Sequence, residues 1–229
     1  MEVDRVAEAV VFAELEAAAA TGEKFSVLSE ESGLRSFGAP YPLVLVDPVD
    51  GSLNAKQGVP LFGLMLAVLD GPVIDDTFAG YVLDLNNGEE WTALRKQGAR
   101  RDGARLTVIP RNDPKKIQIL GLESSPRAVA GAQPLVDRAG KLRILGSMAI
   151  SIALTASGAF DVFCAPLPMR VFDMAASLLL LAETGGVATD MTGHPVGPLP
   201  ASLESRTTLL CAPTEELHAQ ALKILGLKE

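Results

Sequence analysis

Two aspartates three residues apart, Asp47 and Asp50, stand in the segment 47–52 (Asp-Pro-Val-Asp-Gly-Ser), directly after the apolar run 42–46. We call the segment 47–52 the aspartate turn. The proline fixes its own φ and the glycine tolerates a turn, so both carboxylates and the carbonyl of Val49 can face the same side. Hard oxygen ligands of this kind suit Mg²⁺, whereas the spacing does not match an EF-hand loop. A solvated turn is the alternative interpretation, because Asp-Pro and Asp-Gly are common turn pairs.

Further acids occur where predicted strands and helices begin or end. Glu30 and Glu31 follow the apolar run 25–28, and they either meet the aspartate turn from a neighbouring strand or form a charged surface loop. Asp173 precedes the apolar segment 174–182, where capping a helix would explain it without any chemistry. These acids are therefore candidate ligands only if the fold brings them to the aspartate turn.

Composition limits the possible functions. The 229 residues include 20 Lys+Arg and 28 Asp+Glu, which gives a net charge of −8, so binding of nucleic acid or an anionic membrane by bulk charge is not expected. An anionic substrate would need a positive group in its site, and a metal ion is the obvious candidate. Two cysteines and two histidines support neither a disulfide framework nor a Cys- or His-ligated metal centre. The charged first residues and the short apolar runs predict a cytoplasmic protein without signal peptide or membrane span.

The elements that must position these residues follow from hydrophobic periodicity and turn signals. Mixed strands and helices with several all-apolar strands predict layered α/β packing in one compact unit, with an N-terminal lobe (1–110) that carries most metal ligands and a C-terminal lobe (111–229). The seam between the lobes is expected near 108–116. Helices are predicted over 2–20, 126–138, 147–157, 172–184 and 213–225, and strands over 25–28, 42–46, 61–69, 79–85, 90–94, 106–109, 117–120, 142–145, 161–165, 187–189 and 207–211.

Several conspicuous residues are predicted to have structural roles only. His194 falls in a predicted turn, and His218 is expected on the exposed face of the last helix. Cys164 and Cys211 are expected as small core residues, and Trp91 as a packing residue of a hairpin.

Five motifs stand in chain order: Asp4–Glu8, Ser29–Ser32, Asp47–Ser52, Gly146–Ala149 with Ser157–Asp161, and Phe172–Ala176 running to Glu183–Gly186. Together they resemble the inositol monophosphatase family, and the likeness extends over almost the whole chain. The segments 51–60 and 80–83 are similar to its archaeal-type branch, whose members hydrolyse both inositol 1-phosphate and fructose 1,6-bisphosphate. The resemblance implies the sugar-phosphatase fold, an αβαβα sandwich of helices and mixed β-sheets, and a Mg²⁺-dependent, lithium-sensitive phosphatase that acts as a homodimer.

The resemblance also implies metal ligands. Glu30, Asp47 and the Val49 carbonyl would hold one Mg²⁺. Asp47, Asp50 and Asp173 would hold a second, with Asp47 bridging, and a third, weaker ion is expected near Glu30. Two such ions can activate a water molecule, clamp the phosphate oxygens and stabilise the leaving alkoxide, which explains why a cluster of acids can serve an anionic substrate.

The remaining implied roles concern the substrate. Ser52 takes the place of the family's threonine and, with Asp4, would help to activate the attacking water, and Glu30 belongs to the same catalytic group. Gly146 and Ser147 open a predicted helix, where Ser147 is either a simple N-cap or part of a phosphate site. Arg170 either contacts a substrate phosphate or hydroxyl or is a solvated surface charge. The phosphate-binding residues implied by the resemblance are Gly51, Ser52, Gly146, Ser147 and Met148.

Two departures from the family leave the substrate open. Family members carry a further helix and a mobile loop before the Asp4 motif, where this sequence begins, which implies weak turnover or a wrongly assigned start codon. Ala165 or Pro166 stands where animal inositol monophosphatases have an acidic residue that grips inositol. The expected partner is a small phosphorylated polyol or sugar. The alternatives are a nucleotidase for 3′-phosphoadenosine 5′-phosphate, for which no aromatic pair is placed, and a regulatory binding protein on the same scaffold.

Overall fold

The first half of the chain folds into one largely antiparallel sheet with a helix on its outer face. A computed structural model describes residues 2–108, 116–123 and 125–227, with only the backbone described at residue 2. The strands of this sheet follow one another in sequence order from β1 to β7. Its elements are α1 (Glu2–Ala20), β1 (Phe25–Ser29), β2 (Gly33–Asp50), α2 (Ser52–Gln57), β3 (Gly63–Leu69), a one-turn 3₁₀ helix (Ile74–Asp76), β4 (Thr77–Asp84), β5 (Glu90–Leu94), β6 (Gly98–Arg101) and β7 (Ala104–Arg105).

The second half forms a smaller mixed sheet with the strand order β11-β12-β10-β8-β9. In it β8 runs parallel to both β9 and β10, while β12 is antiparallel to β10 and β11. Its elements are β8 (Ile119–Leu122), α3 (Pro126–Gly131), α4 (Gln133–Val136), β9 (Lys141–Arg143), α5 (Met148–Ala156), β10 (Val162–Arg170), a one-turn 3₁₀ helix (Phe172–Met174), α6 (Ala175–Glu183), β11 (Val187–Thr189), β12 (Arg206–Ala212) and α7 (Glu215–Ile224).

Alternation along β3 shows how the first sheet is packed. Because successive side chains of a strand point to opposite faces, Met65 and Ala67 reach the core shared with α5 and α6, whereas Leu66 and Val68 pack toward α1. Helix α1 therefore covers the outer face of this sheet, mainly through Phe12.

Helices α5 and α6 lie between the two sheets and form the main core. Both are apolar almost all round, as expected of helices that are buried on every side. A second cluster on the far face of the smaller sheet joins α4 and α7 to its strands, for instance through Leu135 and Leu217. The layers thus alternate as α, β, α, β, α, which confirms the predicted fold class.

Several predicted boundaries differ from the structure. The predicted strand 42–46 is the buried part of the much longer β2, whose first half is largely exposed. The predicted helix 126–138 is split into α3 and α4, because Pro134 in the first turn of α4 has no N–H to donate. Residues 106–108 form no strand, and residue 109 lies outside the described residues, as does most of the expected seam at 108–116.

Most of the structural residues are placed as predicted. Cys164, Cys211 and Trp91 are buried, and His194 lies in a turn. The prediction for His218 is wrong: it is 5% exposed and hydrogen-bonds to Thr189, because α7 packs this face against the smaller sheet. None of the helices in the described part of the chain is long and apolar enough to cross a membrane.

Candidate functional site

The path of β2 brings Glu30 next to Asp47. Because β2 is long and bent, β1 pairs with both of its halves: Val27, for example, is opposite both Arg35 and Val44. At the end of β1, the amide of Glu30 donates to the carbonyl of Val46 at 3.3 Å. Glu30 therefore emerges from the sheet beside the residue that precedes Asp47.

An irregularity in the pairing of β2 with β3 shapes the aspartate turn. Asp47 is opposite Met65 and Asp50 is opposite Gly63, so three steps along β2 correspond to two along β3. Within the turn, the amide of Val49 donates to Asp47 Oδ1 at 3.1 Å. The Val49 carbonyl accepts a hydrogen bond from the Ser52 hydroxyl at 2.9 Å. The solvated-turn interpretation of this segment is wrong, since Asp47 and Asp50 are both buried.

Asp173 completes a cluster of three acids. It lies in the 3₁₀ turn that follows β10, and carboxylate oxygens of Glu30, Asp47 and Asp173 all lie within 4.8 Å of one another. Asp173 Oδ1 is buried and has no hydrogen-bond partner among the residues that the structure describes. The capping interpretation of Asp173 is wrong, because the N-cap of α6 is Met174 and makes no side-chain bond. We call Glu30, Asp47 and Asp173 the acid triad.

Electrostatics at the acid triad favour the binding of a cation. Burial raises the pKa of Asp173 to about 7, with the charges of Asp50 and Glu30 adding to the effect and Arg170 opposing it. Burial, together with the charges of Asp50, Asp173 and Glu30, also raises the pKa of Asp47 well above its usual value. These carboxylates repel one another and are short of solvation, so a multivalent cation would relieve both costs.

A hard divalent ion fits the residues present. The donors are carboxylates, with the Val49 carbonyl beside them, and oxygen donors are what Mg²⁺ prefers. Asp173 Oδ1, which is buried and has no hydrogen-bond partner among the described residues, is available as a ligand atom. The donor set thus fits a hard cation.

Asp50 makes a different set of contacts from the acid triad. Its Oδ1 accepts from the amide of Met148 at 3.2 Å, and its Oδ2 accepts from the amide of Ala149 at 2.7 Å and from the Ser147 hydroxyl. Asp50 therefore occupies the amides at the N-terminus of α5, where an anion is favoured. Ser147 is the N-cap of this helix, since its hydroxyl accepts from the amide of Ile150 at 3.3 Å.

Close packing joins the aspartate turn to the segment before α5. Gly51 has φ 89°, and a Cβ there would lie 3.0 Å from the carbonyl oxygen of Gly146, so only glycine fits without displacement. The Asn54 amide nitrogen donates to the carbonyls of Leu61 at 2.7 Å and Leu145 at 2.6 Å. Both phosphate-binding segments predicted from the sequence are thereby held next to each other.

Helix α1 contributes two buried acids. Burial raises the pKa of Asp4, but hydrogen bonds, one of them with the Ser52 side chain, outweigh burial and leave this pKa below its usual value. One turn later, Glu8 accepts hydrogen bonds from the hydroxyls of Ser29 and Ser32 and from the Ser32 amide at 3.2 Å. Glu8 therefore holds the turn that carries Glu30.

Arg170 bridges two members of the acid triad. Its Nε donates to Asp173 Oδ2 at 2.9 Å, and its Nη1 donates to Glu30 Oε1. Its side chain is 26% exposed, so the interpretation of Arg170 as a solvated surface charge is wrong.

The space beside the acids is small. A cleft of about 70 Å³ is lined by Asp50, Asp173 and the start of α5. A larger groove of about 840 Å³ lies against α1 and is lined almost entirely by apolar side chains such as Val3 and Phe62. The acid triad identifies the site better than cavity size does, because the raised pKa values of Asp47 and Asp173 mark buried carboxylates that a bound cation would stabilise.

Sequence reasoning missed the partners of three supporting residues. Glu8 lies one turn from Asp4 on the same side of a predicted helix, and this spacing suggests a shared role for the two acids. It does not reveal that Glu8 binds Ser29 and Ser32. Asn54 carries no sequence signal for its two long-range hydrogen bonds. Arg170 was singled out as a substrate contact, but its pairing with Glu30 crosses 140 positions and depends on the fold.

Comparisons with known proteins identify the family of this chain. The sequence matches the inositol monophosphatase family over residues 1–226. The chain belongs to the inositol monophosphatase family. This confirms the family expected from the five motifs.

Relatives within the inositol monophosphatase family differ in their described roles. The protein of Archaeoglobus fulgidus named fructose-1,6-bisphosphatase/inositol-1-monophosphatase is 30% identical over 209 residues, which are 89% of this chain and 76% of the relative. The Nus factor SuhB of Pseudomonas aeruginosa is 32% identical over 204 residues, which are 84% of this chain and 72% of the relative. A solved structure, a hypothetical protein from Pyrococcus horikoshii with similarities to inositol-1 monophosphatase, has a TM-score of 0.81 at 24% identity over 99% of this chain and 84% of that chain. This last likeness shows the shared fold.

Proposed function

We propose that the protein is a Mg²⁺-dependent phosphatase that hydrolyses phosphate monoesters of inositol or of sugars. The observation that carries this proposal is the convergence of Glu30, Asp47 and Asp173 within 4.8 Å in a chain of the inositol monophosphatase family. The similarity to a relative named fructose-1,6-bisphosphatase/inositol-1-monophosphatase supports inositol 1-phosphate and fructose 1,6-bisphosphate as substrates.

The acid triad and its neighbours would hold the metal. Glu30, Asp47 and the Val49 carbonyl form one ligand group, and Asp47, Asp173 and Asp50 a second, with a third, weaker ion near Glu30. Because Asp50 is hydrogen-bonded to the start of α5, it is tied more firmly to the protein than the other acids are. When bound, Mg²⁺ supplies positive charge that offsets the charge of the phosphate and makes a water molecule easier to deprotonate.

Asp4 and Ser52 would handle the proton of the attacking water. The low pKa of Asp4, brought about by hydrogen bonds that outweigh its burial, keeps the carboxylate ionised near neutral pH. The Ser52 hydroxyl connects that carboxylate to the aspartate turn. For a water molecule at this turn to pass a proton toward Asp4 through Ser52, the hydroxyl would turn its own proton from the Val49 carbonyl to the Asp4 carboxylate and accept the proton of the water, with Glu30 at the partly exposed edge of the same site.

Phosphate would be held between the aspartate turn and the start of α5. The proposed contacts are backbone groups and a hydroxyl of Gly51, Ser52, Gly146, Ser147 and Met148, with the guanidinium of Arg170 nearby. Since the amide of Met148 already donates to Asp50 at 3.2 Å, the phosphate would have to share or replace that bond. The packing of Gly51 against Gly146 keeps the two segments in the close arrangement that such shared binding needs.

The test is a phosphate-release assay on a panel of esters, each with Mg²⁺ and with EDTA. Inositol 1-phosphate, fructose 1,6-bisphosphate and 3′-phosphoadenosine 5′-phosphate distinguish a polyol or sugar phosphatase from a nucleotidase. Mg²⁺-dependent release from either of the first two is the expected result. Release from the third substrate alone would replace the proposal with the nucleotidase alternative.

A regulatory binding protein on the same scaffold is the second candidate, because a relative at 32% identity is a Nus factor. Two observations favour the phosphatase over it: the triad converges on one point, and Asp173 Oδ1 is left without a partner among the described residues. The absence of turnover on all three esters, together with tight binding of protein or RNA, would favour the regulatory role.

The proposal includes a homodimer in the cytoplasm and inhibition by Li⁺, which the family resemblance supports. Light scattering on the purified protein measures the oligomeric state, and the phosphate-release assay with added Li⁺ measures the inhibition.

A further inference from the structure

Arg170 stands where a divalent ion would need its ligands to be free. Its guanidinium donates to Glu30 Oε1 and, at 2.9 Å, to Asp173 Oδ2, so it engages two of the three carboxylates of the acid triad. The third, Asp47, receives the amide of Val49 on Oδ1 and is not bonded to Arg170. Among the described residues, no other cationic side chain forms an ion pair with the triad.

The position of Arg170 is built by the fold. Arg170 is the last residue of β10, Asp173 follows it by one turn, and Glu30 comes from the far end of β1 in the other sheet. Arg170 and both partners are largely shielded from solvent, with side chains 26%, 28% and 10% exposed for Arg170, Glu30 and Asp173. Charge-assisted bonds in such a setting are stronger than those between fully solvated side chains.

We propose that Arg170 is an internal counterion that competes with the divalent metal ion for Glu30 and Asp173 and thereby sets the Mg²⁺ concentration at which the site fills. The inference rests on the proposed function, because it concerns the metal site described there. In the metal-free protein the guanidinium neutralises part of the triad's charge. When an ion enters, at least one of the two carboxylates exchanges the guanidinium for the ion, and the two positive charges repel each other across the site.

The competition makes a directional prediction. Removing the guanidinium leaves the carboxylates of the metal-free protein without their counterion, so the metal-free state loses stability while the metal-bound state loses little. The affinity for Mg²⁺ therefore rises. A supporting role, in which Arg170 merely holds Glu30 and Asp173 in place, predicts the opposite sign, because loss of the scaffold would weaken metal binding.

Arg206 provides a matched control. It is the register partner of Arg170 on the neighbouring strand β12, and Arg206→Met changes the net charge by the same amount. Its guanidinium donates to backbone carbonyls, including that of Ser205 at 3.2 Å, and it forms no ion pair with the triad. An effect confined to Arg170 therefore cannot come from the overall charge of the chain.

The experiment is a calorimetric titration of the full chain with Mg²⁺ alone at pH 8.5. The proteins are the wild type, Arg170→Met, Arg170→Lys and Arg206→Met. We expect the dissociation constant for Mg²⁺ to fall about tenfold in Arg170→Met. The size follows because the variant lacks the two partly solvated, charge-assisted hydrogen bonds with which Arg170 competes against the ion. Arg170→Lys keeps the charge but loses the planar guanidinium that spans two carboxylates, so its dissociation constant should lie between those of the wild type and Arg170→Met. Arg206→Met should have the dissociation constant of the wild type.

Thermal unfolding gives a second readout that does not depend on catalysis. In EDTA, the melting temperature of Arg170→Met should be lower than that of the wild type. Saturating Mg²⁺ should raise the melting temperature of Arg170→Met by more than it raises that of the wild type, because stabilisation by a ligand grows as its dissociation constant falls. If Arg170→Met does not fold, Arg170→Lys carries the test, since it must still bind Mg²⁺ more tightly than the wild type.

The outcomes separate the two proposals. A wild type that binds no Mg²⁺ overturns the proposed function and its metal site. A wild type that binds Mg²⁺, with Arg170 variants that bind it equally or more weakly, leaves the metal site intact and overturns the role of Arg170 as a competitor.

Discussion

Replacing Asp173 with asparagine should stabilise the metal-free protein at neutral and alkaline pH and leave its stability in acid almost unchanged. Asp173 is buried near three other acids, which raises its pKa to about 7 because burial and the charges of Asp50 and Glu30 outweigh Arg170. Asparagine has nearly the shape of the protonated acid and carries no charge at any pH. The variant therefore keeps the neutral state that the folded protein favours.

The sign and size follow from linkage. Between the unfolded pKa of 3.8 and the folded value of about 7, the folded protein holds a proton that the unfolded chain has released, so stability falls as the pH rises through this window. The shift of about 3 units corresponds to at most about 4 kcal/mol of lost stability above pH 7. The asparagine variant avoids this loss, so its advantage should grow from near zero at pH 4 to at most about 4 kcal/mol at pH 8.

Urea unfolding in EDTA at intervals from pH 4 to pH 8.5 measures the difference. Asp137→Asn, which changes an exposed aspartate of the C-terminal half, controls for the general effect of removing one negative charge. Parallel pH profiles for Asp173→Asn and the wild type would refute the reasoning. Adding Mg²⁺ should stabilise the wild type strongly and the Asp173→Asn variant only weakly, because the latter has lost a ligand.

Two further predictions concern the residues that position the site. Glu8→Gln should destabilise the protein by about 1–3 kcal/mol, because the buried carboxylate accepts three hydrogen bonds. Calorimetry should also show weaker Mg²⁺ binding, because the turn that carries Glu30 is loosened. An unchanged affinity for Mg²⁺ would contradict this role of Glu8. Asn54→Ala removes two hydrogen bonds and should lower the free energy of unfolding, measured in urea, by about 1–3 kcal/mol. An Asn54→Ala variant as stable as the wild type would contradict this prediction.

Local patterns were sufficient for much of the fold. The apolar spacing of 2–20 and the glycine pair after α6 predicted those helices, and alternation with turn residues predicted the β4–β5 hairpin. The failures have physical causes. The exposed first half of β2 has no apolar pattern of its own and is a strand because β1 pairs with it. His218 was placed on the wrong face because periodicity does not show that the smaller sheet receives α7 there.

The candidate site was only partly predictable for the same reason. The aspartate turn was evident from the sequence, since strand, proline and glycine are consecutive. The approach of Glu30 depends on the bent path of β2, and that of Asp173 on a contact between the two halves of the chain, neither of which spacing reveals. The turn and the family resemblance predict Asp50 as a metal ligand, but the structure adds three hydrogen bonds with the start of α5, which lies almost 100 residues further along.

The central claim is that these acids trap a divalent ion on which phosphate-ester hydrolysis depends. The most direct test compares phosphate release by the wild type and by Asp47→Asn in saturating Mg²⁺, with circular dichroism to verify that the variant is folded. We expect Mg²⁺-dependent turnover by the wild type and a loss of at least about 100-fold in the variant, which is the upper range for disturbing even an indirect metal contact. An Asp47→Asn variant that releases phosphate at the rate of the wild type would contradict the account.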